Sequence, residues 1–395
     1  MGDGPIHAFS GIYATSQLGR IVVDTLTRVR DTTPARGRAA KRNGISDVAK
    51  AAGVSVTTVS HAMSGQGQVS AETRAKVLRV AAELSYAPNR IASALRRQRS
   101  GIIGFVSDEI ATTPFAGRLV LGAQSAAAQR GMLLMVVNSN RDVLVERDQI
   151  EALLAHQVDA VIYAKMYHQQ IELPALLHQI PTVLVNAFDP AVAAPAVVPD
   201  EEAIAEAAVE LLIRDGHRSI AHLTVAEDTP AMRGRLAGYR RAIQRAGIGI
   251  DERLIVRASV ERGAAATGIA RVAFASFLER GARPTAVFCF NDQLAMGVYQ
   301  AAALFDLRIP RDLSVVGVDN LELIADNLAP GLTTVALPHY EMGRWAVDAA
   351  TMMLERSDAM PGEPGPTRMA SHIIERESVA QPVGAMHRAG GAPPI

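Results

Sequence analysis

From residue 101 onward, short apolar runs typical of buried β-strands alternate with amphipathic stretches that have helical spacing. This alternation predicts right-handed strand–helix–strand units and a parallel sheet covered by helices. Because about 280 residues exceed what one open sheet usually holds, we expect two such lobes. The apolar runs are Ile102–Val106, Met132–Val137, Ala160–Tyr163, Thr182–Val185, Ser219–Leu223, Thr285–Cys289 and Leu313–Val318. The helical stretches lie near residues 115–130, 143–156, 201–215, 232–247, 266–281, 292–304 and 338–356.

Charge is distributed unevenly along the chain, although the formal net charge is zero. Residues 1–100 carry 15 Lys and Arg against 6 Asp and Glu, whereas residues 101–395 carry 25 against 34. A basic segment of this kind points to a nucleic-acid or membrane partner. Charge alone also fits a basic tail that has no function.

Composition excludes several classes of protein. The chain is 49% apolar and 20% charged, as globular proteins are, and Cys289 is its only cysteine. An intrachain disulfide and a Cys-based zinc site are therefore excluded, which favours a reducing compartment. No apolar run reaches 18 residues and the N-terminus lacks the pattern of a secretory signal, so we expect a cytoplasmic protein with no membrane span. The common catalytic and metal-binding motifs are missing, so we expect no enzyme, no catalytic residue, no metal and no cofactor.

Residues 45–85 contain three short helical patterns. Gly53 ends the first, Ser55 is a favourable N-cap for the second, and Ser70 is one for the third. Two short helices joined by Ala-Gly-Val-Ser are typical of a helix-turn-helix. The residues predicted to face its core are Val48, Ala51, Ala52, Val59, Ala62, Met63, Val77, Val80, Ala81 and Leu84.

Three strings resemble the DNA-binding headpiece and linker of the lactose-repressor (LacI) family of transcription regulators. They are Ile-Ser-Asp-Val-Ala-Lys-Ala-Ala-Gly-Val-Ser-Val-Thr-Thr-Val-Ser-His (45–61), Val-Ser-Ala-Glu-Thr-Arg (69–74) and Tyr-Ala-Pro-Asn-Arg-Ile-Ala-Ser-Ala-Leu (86–95). The likeness continues at residues 216–222, 235–239, 290–297, 314–320 and 332–335. It spans most of the chain, and the fixed order of the strings makes it far more specific than a lone helix-turn-helix.

The resemblance implies that the second helix enters the major groove with its N-terminal residues at base edges. Val56 and Thr57 stand where the family reads bases, the first by apolar contact and the second by a hydrogen bond. His61, one turn further on, is expected to contact a base or a phosphate rather than to be a plain surface residue; the purine repressor is similar in carrying His there. The residues expected to contact phosphates are Ser55, Thr58 and Ser60.

The same resemblance makes residues 86–100 a linker with a hinge helix, which is too short to be stable alone. Leu95 matches the hinge leucine that wedges into a central minor-groove step and kinks the duplex; an ordinary buried leucine is the alternative. Arg96, Asn89 and Arg90 are expected near the DNA backbone. Two adjacent hinge helices require a homodimer, and a pseudo-palindromic double-stranded operator follows.

The remainder resembles two-lobed periplasmic sugar-binding proteins, in which a ligand lies between the lobes at the carboxyl ends of the strands. Arg235, Asn291 and Asp319 match positions that commonly bind effector hydroxyls in the family. An arginine fork and a paired carboxylate acceptor suit vicinal hydroxyls. Asp108 and Lys165 follow predicted strands and are further candidates.

Four more residues of the core have open or structural roles. Phe115 and Phe188 are candidate apolar walls of the effector pocket, and simple core packing is the equal alternative. Asp292 and Arg240 are interpreted as helix caps or surface ion pairs rather than as ligands.

The chain also departs from the family pattern. The family often has Asp-Asn and then Gly before the long helix of the second lobe, where this chain has Asp200-Glu201-Glu202-Ala203. Gly263 stands where some relatives place an aromatic residue, which argues against an aromatic sandwich around the effector. The N-terminal extension lies outside the pattern.

We therefore predict an α/β protein with an all-α headpiece and a two-lobed, doubly wound core. Its function is sequence-specific DNA-binding regulation, most simply repression, controlled by a small-molecule effector such as a sugar. A nucleoside effector, or a sugar-binding protein that uses the core alone, is the alternative. The predicted segments are an irregular basic extension (1–43), the helix-turn-helix domain (44–85), the linker (86–100), the core for effector binding and dimerisation (101–377) and a disordered tail (378–395).

Overall fold

A computed structural model describes residues 43–64, 67–86, 99–109, 116–259, 266–355 and 365–383. The chain divides into two compact units between residues 89 and 90, inside the predicted linker. Most of the predicted extension, residues 384–395 of the predicted tail and Gly263 lie outside the described residues. So do five candidate site residues: Asn89, Arg90, Leu95, Arg96 and Phe115.

Three helices make up the described part of the first unit: α1 (Ile45–Ala52), α2 (Val56–Ser64) and α3 (Ala71–Glu83). Gly53 ends α1 in the left-handed conformation, at φ +67°. Ser55 accepts the backbone N–H of Thr58 at 3.0 Å and so begins α2, while Ser70 accepts that of Thr73 at 3.2 Å and begins α3. The predicted helix boundaries are thus confirmed by their caps.

The headpiece core is small and apolar. One predicted member is wrong, because Ala51 is exposed whereas Ala49 is buried. The stripe that α1 buries runs through Ile45, Val48, Ala49 and Ala52, and at 100° per residue Ala51 falls outside it. The buried residues are Val48, Ala49, Ala52, Val59, Ala62, Val77, Val80 and Ala81.

The second unit contains two doubly wound lobes. The sheet of lobe 1 is wholly parallel and has the strand order β11-β5-β4-β3-β1-β2. Helices α4 (Ala116–Gln129), α5 (Val143–Ala155) and α11 (His339–Glu355) cover it. Its strands are β1 (Ile102–Ser107), β2 (Leu133–Asn138), β3 (Ala160–Gln170), β4 (Thr182–Phe188), β5 (Ala196–Pro199) and β11 (Thr367–Met369).

Lobe 2 repeats this architecture with the order β12-β10-β9-β8-β6-β7, in which β12 is antiparallel. The chain crosses between the lobes three times, at 199–201, 336–339 and 369–372. Its strands are β6 (Ile220–Val225), β7 (Ile255–Ala258), β8 (Ala286–Cys289), β9 (Ser314–Val318), β10 (Thr333–Ala336) and β12 (His372–Ile374). Its helices are α6 (Glu201–Arg214), α7 (Pro230–Arg245), α8 (Ala266–Glu279), α9 (Asp292–Leu304) and the short α10 (Glu322–Ala325).

The carboxyl end of the chain differs from the prediction that disorder begins at residue 378. Ser378 is fully buried in lobe 2; its Oγ accepts the N–H of Thr333 at 2.8 Å and donates to the carbonyl of Val315 at 2.6 Å. Ala380 in turn accepts a bond from Ser314 Oγ at 3.1 Å. Residues 378–380 thus belong to the fold of lobe 2 through hydrogen bonds to residues of β9 and β10, a role that composition alone does not reveal.

Helices α4 and α11 of lobe 1 touch at their backbones. A Cβ on Gly122 would overlap the carbonyl oxygen of Tyr340, and a Cβ on Gly343 would overlap that of Leu119. Gly122→Ala is therefore expected to lower the free energy of unfolding by about 2–3 kcal/mol, because neither backbone can yield to the added methyl group. Urea unfolding followed by the fluorescence of Trp345, the only tryptophan and a residue of α11, measures the change.

Gly117 provides the matched control, since it lies in α4 and a Cβ there would meet no atom within 4 Å. Gly117→Ala should raise the free energy of unfolding by up to about 1 kcal/mol through helix propensity. Equal effects of the two substitutions would contradict the close approach of α4 and α11.

Candidate functional site

The first unit presents the N-terminus of α2 to solvent. Ser55, Val56 and Thr57 are exposed, and the Val56 side chain is 45% exposed although it is a β-branched hydrophobe. On the opposite face of α2, Val59 and Ala62 are buried in the headpiece core. The residues predicted to read bases are thus not needed for packing, which leaves their side chains available to a partner.

Two of the hydroxyl groups predicted to contact phosphates also stabilise the N-terminus of α2. The side-chain oxygens of Ser55 and Thr58 lie 2.8 Å apart, and Ser55 is the N-cap of α2. Ser60 is half-buried one turn further along. Four N–H groups at a helix N-terminus add a partial positive charge there, which favours an anion such as a phosphate.

His61 lies at the end of this surface, and its side chain is exposed. Its imidazole packs against Gly67, where φ is +78° and a Cβ would come within 2.5 Å of the ring nitrogen Nδ1. The loop that follows α2 therefore needs a glycine beside this ring, and the imidazole is held at the same end of the headpiece surface.

Lobe 2 places a buried ion pair at the carboxyl edge of its sheet. The Nε of Arg235 donates to Glu201 Oε2 at 2.8 Å, and each side chain is only 5% exposed. Arg235 also donates to the carbonyl oxygen of Phe290 and stacks on its ring, with 4.4 Å between guanidinium carbon and centroid. Burial raises the pKa of Glu201, but the charge of Arg235 with the nearby His168 outweighs it and holds that pKa below its ordinary value.

Asp319 and Asn291 lie at the same edge, after β9 and β8. Burial raises the pKa of Asp319 well above its ordinary value; Arg235 opposes the rise, and the like charges of Asp292 and Glu201 add to it. Asp319 has a φ of +113°, a strained backbone that persists at functional sites when its surroundings fix it. Asn291 caps α9 through its Oδ1, which accepts the N–H of Leu294 at 2.9 Å.

The interpretation of Asp292 as a helix cap or a surface ion pair is wrong. It is fully buried, accepting the hydroxyl of Thr334 at 2.6 Å and the N–H of Leu321 at 2.7 Å. A Cβ on Gly317 would overlap its Oδ1, so β9 carries glycine where the carboxylate passes. Burial raises the pKa of Asp292 to about 7. Arg240 does form an exposed ion pair, with Glu252 at 2.7 Å.

The candidates from lobe 1 form a separate network. Asp108 follows β1, whereas Lys165 lies inside β3, which is longer than predicted. The Lys165 ammonium group lies 3.1 Å from Glu146 and 4.0 Å from Asp108. Glu146 also accepts the hydroxyl of Tyr163 at 2.8 Å. Burial raises the pKa of Asp108, and Lys165 partly opposes the rise. The positive charge of Lys165 is thus already paired with two carboxylates of lobe 1.

A cavity of about 460 Å³ lies between the lobes, within the size range of small-molecule sites. Lobe 1 contributes His168 and Phe188, whose rings meet edge to face at 5.9 Å. Phe188 lines this cavity and also packs against the core of lobe 1, so both of its predicted environments are present. The full lining is His168, Phe188, Val198, Pro199, Glu201, Glu202, Pro230, Arg233, Gly234, Ala237, Pro366 and Arg368.

Sequence reasoning missed Glu201 and His168. His168 Nδ1 lies 3.4 Å from Glu201 Oε1, so lobe 1 meets the buried ion pair of lobe 2 at this point. The departure from the family pattern at Asp200-Glu201-Glu202 was the available signal for Glu201, because it puts a carboxylate at a crossover. Nothing in the sequence singled out His168, which lies near the end of a strand predicted to stop at Tyr163.

A helix-turn-helix unit joined to a two-lobed core with a cavity between its lobes defines a class: DNA-binding regulators built on a periplasmic-binding-protein-like fold. Two family models match accordingly. "Bacterial regulatory proteins, lacI family" matches residues 44–89, and "Periplasmic binding protein-like domain" matches residues 189–379.

Relatives support the same class at the level of sequence. The transcriptional regulator DegA of Bacillus subtilis is 36% identical over 76% of this chain and 88% of its own length. The transcriptional repressor PurR of Vibrio atlanticus is 33% identical over 85% of this chain and 98% of its own. The ribose operon repressor of Escherichia coli is 33% identical over 76% and 90%. The chain therefore belongs to the lactose-repressor family of bacterial transcription regulators.

Solved structures agree with this assignment. The lac repressor dimer bound to operator and an anti-inducer is 27% identical, with a TM-score of 0.67 over 86% of this chain and all of that one. The regulator CelR in complex with cellobiose is 28% identical, with a TM-score of 0.59 over 85% of this chain and all of its own. The protein is accordingly a DNA-binding transcriptional repressor of this family with an effector-binding core. In the part of the chain that the structure describes, no helix has the length and apolarity to cross a bilayer.

Proposed function

We propose that this chain is a homodimeric repressor in the cytoplasm whose operator affinity is controlled by a sugar or sugar derivative bound between the lobes of the core. Val56, Thr57 and His61 read the operator, and the hydroxyls at the start of α2 contact its phosphates. Leu95 in the linker wedges into the central step, with Asn89, Arg90 and Arg96 near the backbone.

The observation that carries the proposal is the polar cluster at the carboxyl edge of the lobe 2 sheet, which reaches the cavity through Glu201, the partner of Arg235. Arg235, Asn291 and Asp319 come from α7 and from the ends of β8 and β9, so three elements converge on one edge of the lobe 2 sheet. A donor fork, an amide and a carboxylate at one edge suit a ligand with several hydroxyl groups. Asp108 and Lys165 at the edge of lobe 1 complete the proposed site.

Coupling to DNA follows from where the ligand would lie. The cavity is bordered by Pro199 and Glu201 at one crossover, so a bound ligand contacts the segment about which the lobes move. A change in lobe angle alters the start of lobe 1, which follows the linker directly. Ligand and operator then bind with a reciprocal coupling that is typically about 1–3 kcal/mol.

The experiment is selection of genomic DNA fragments by the purified full-length chain, read by sequencing, with and without a panel of neutral sugars. We expect a pseudo-palindrome with a flexible central step, and a sugar that changes its enrichment. Enrichment of no sequence under any condition would contradict the proposal. It would favour instead a sugar-binding protein that uses the core alone.

Salt dependence gives a second expected result. Because the N-terminal 100 residues carry a net charge of +9, operator affinity should fall on the order of 10–100-fold between 50 and 200 mM salt as counterions return to the DNA. Fluorescence anisotropy of a labelled operator measures the slope. A response flat in salt would contradict the role of the basic segment.

A further inference from the structure

Arg235 does not face the cavity as an unpaired cation. Its Nε donates to Glu201, its Nη1 donates to the carbonyl oxygen of Phe290, and its planar face lies on the Phe290 ring. All three partners are electron-rich. The positive charge that would attract an anionic ligand is therefore already matched inside the protein.

Glu201, rather than Arg235, forms the wall of the cavity. Among the described residues that line the cavity, Glu201 is present and Arg235 is not. The Glu201 carboxylate therefore borders the cavity, whereas the guanidinium group that it pairs with does not. Gly234 allows this arrangement, because a Cβ there would come within 2.5 Å of the Glu201 Cβ and push the side chain away.

The arginines that line the cavity are also matched by carboxylates. Arg233 lies 2.6 Å from Asp228, and Arg368 lies 3.9 Å from Glu202. Among the described residues, both arginines of the cavity wall thus have a carboxylate within ion-pair distance. In lobe 1, Lys165 is similarly placed between two carboxylates.

We infer that the effector site of this chain selects an uncharged polyhydroxyl ligand and excludes anionic counterparts such as sugar phosphates and sugar acids, with Glu201 as the residue that determines this specificity. The inference rests on the proposed function, because it names the class of effector. A ligand hydroxyl in the cavity donates to the Glu201 carboxylate and leaves the bond between Glu201 and Arg235 intact. A phosphate or carboxylate group meets the Glu201 charge first and must displace it from a buried arginine.

The first test uses inorganic phosphate as the probe, titrated calorimetrically into the full-length chain at constant ionic strength. Glu201→Gln uncovers the charge of Arg235 with little change in side-chain shape and should bind phosphate at least about 10-fold more tightly than the wild type, as a new charge-assisted contact implies. Glu206→Gln is the matched control. It removes the same charge from the same helix, next to Arg241 and Arg245 and away from the cavity, and should behave as the wild type.

The double variant Glu201→Gln/Arg235→Gln locates the new site, because the gain should disappear when the uncovered cation is removed. Phosphate that binds the basic headpiece contributes the same heat in the titrations of the wild type, the two single variants and the double variant. This contribution therefore cancels when the four are compared. Equal phosphate affinity of Glu201→Gln and wild type would overturn the inference.

The second test needs no substitution and so does not depend on how well the variants fold. Neutral sugars are compared with their own phosphate esters and uronic acids as ligands of the wild-type chain. Each bound sugar should lose at least about 100-fold in affinity when it gains an anionic group, and a charged member that binds as tightly as its parent would overturn the inference. If no sugar binds, the proposed sugar effector fails, and the phosphate titration still decides whether the site excludes anions.

Discussion

Replacing Val56 by aspartate is expected to lower operator affinity by more than about 100-fold. Val56 is the first residue of α2, and its exposed side chain is proposed to contact a base edge. A carboxylate at that position loses the apolar contact and places a negative charge next to the phosphates, so both the base-reading and the electrostatic parts of binding weaken. Fluorescence anisotropy with the selected operator measures the loss.

The same substitution should leave the headpiece folded. An acidic residue in the first turn interacts favourably with the helix dipole, by about 0.3–1 kcal/mol, and α2 has no acidic residue there. Val56 is also absent from the headpiece core. Loss of binding with an unchanged or higher melting temperature therefore separates a DNA contact from a packing role.

Leu78 is the matched control, because it is the other strongly exposed large hydrophobe of the described headpiece, at 47% against 45% for Val56. It lies on α3, away from the proposed reading surface of α2. Leu78→Asp should retain operator affinity within a few-fold. A similar loss in both variants would mean that any acidic substitution in this unit weakens binding, and the assignment of Val56 would fall.

The headpiece was predictable because its signals are local. Caps at Ser55 and Ser70 and a glycine at 53 begin and end helices within a few residues, and the structure confirms each. In the core, the seven predicted apolar runs all form strands. Five strands were missed, each of only three or four residues, because so short a run carries too little periodicity to be recognised; of the strands this short, β8 alone was predicted.

The site was predictable only in part, since its geometry depends on residues far apart in the chain. Arg235, Asn291 and Asp319 were chosen by their matches to family positions, and the structure brings them to one edge of the lobe 2 sheet. That Arg235 is paired with a carboxylate 34 residues earlier depends on how α6 packs against α7. No local rule of sequence encodes that contact, and the same holds for the approach of His168 from the other lobe.

Replacing Arg235 by methionine is expected to lower the free energy of unfolding by about 3–5 kcal/mol at neutral pH. The substitution fills similar space but leaves the Glu201 carboxylate, which is 5% exposed, without its main counter-charge. Urea unfolding followed by circular dichroism measures the loss. The double variant Glu201→Met/Arg235→Met should recover most of it, because a buried pair replaced as a whole by apolar side chains costs little.

The loss should also depend on pH, with a sign fixed by Glu201. In the wild type its pKa is lowered, so the pair stabilises the fold above the ordinary value of 4.5 and this contribution disappears as pH falls through the lowered pKa. Without Arg235, burial dominates and raises the pKa of Glu201, so the variant takes up a proton and regains stability as pH falls. The difference between wild type and variant is therefore largest above the raised pKa of Glu201 in the variant, and it shrinks as the pH falls through that pKa.

Arg240 gives the control on the same helix. Its ion pair with Glu252 at 2.7 Å is as short as the buried one, but the side chains are 37% and 63% exposed. Arg240→Met should cost less than about 1 kcal/mol, since solvent screens an exposed pair and hydrates the partner left behind. If Arg235→Met cost no more than this, Glu201 would have to find water or another partner in the cavity, and the carboxylate could not be the fixed wall on which the selection of an uncharged ligand depends.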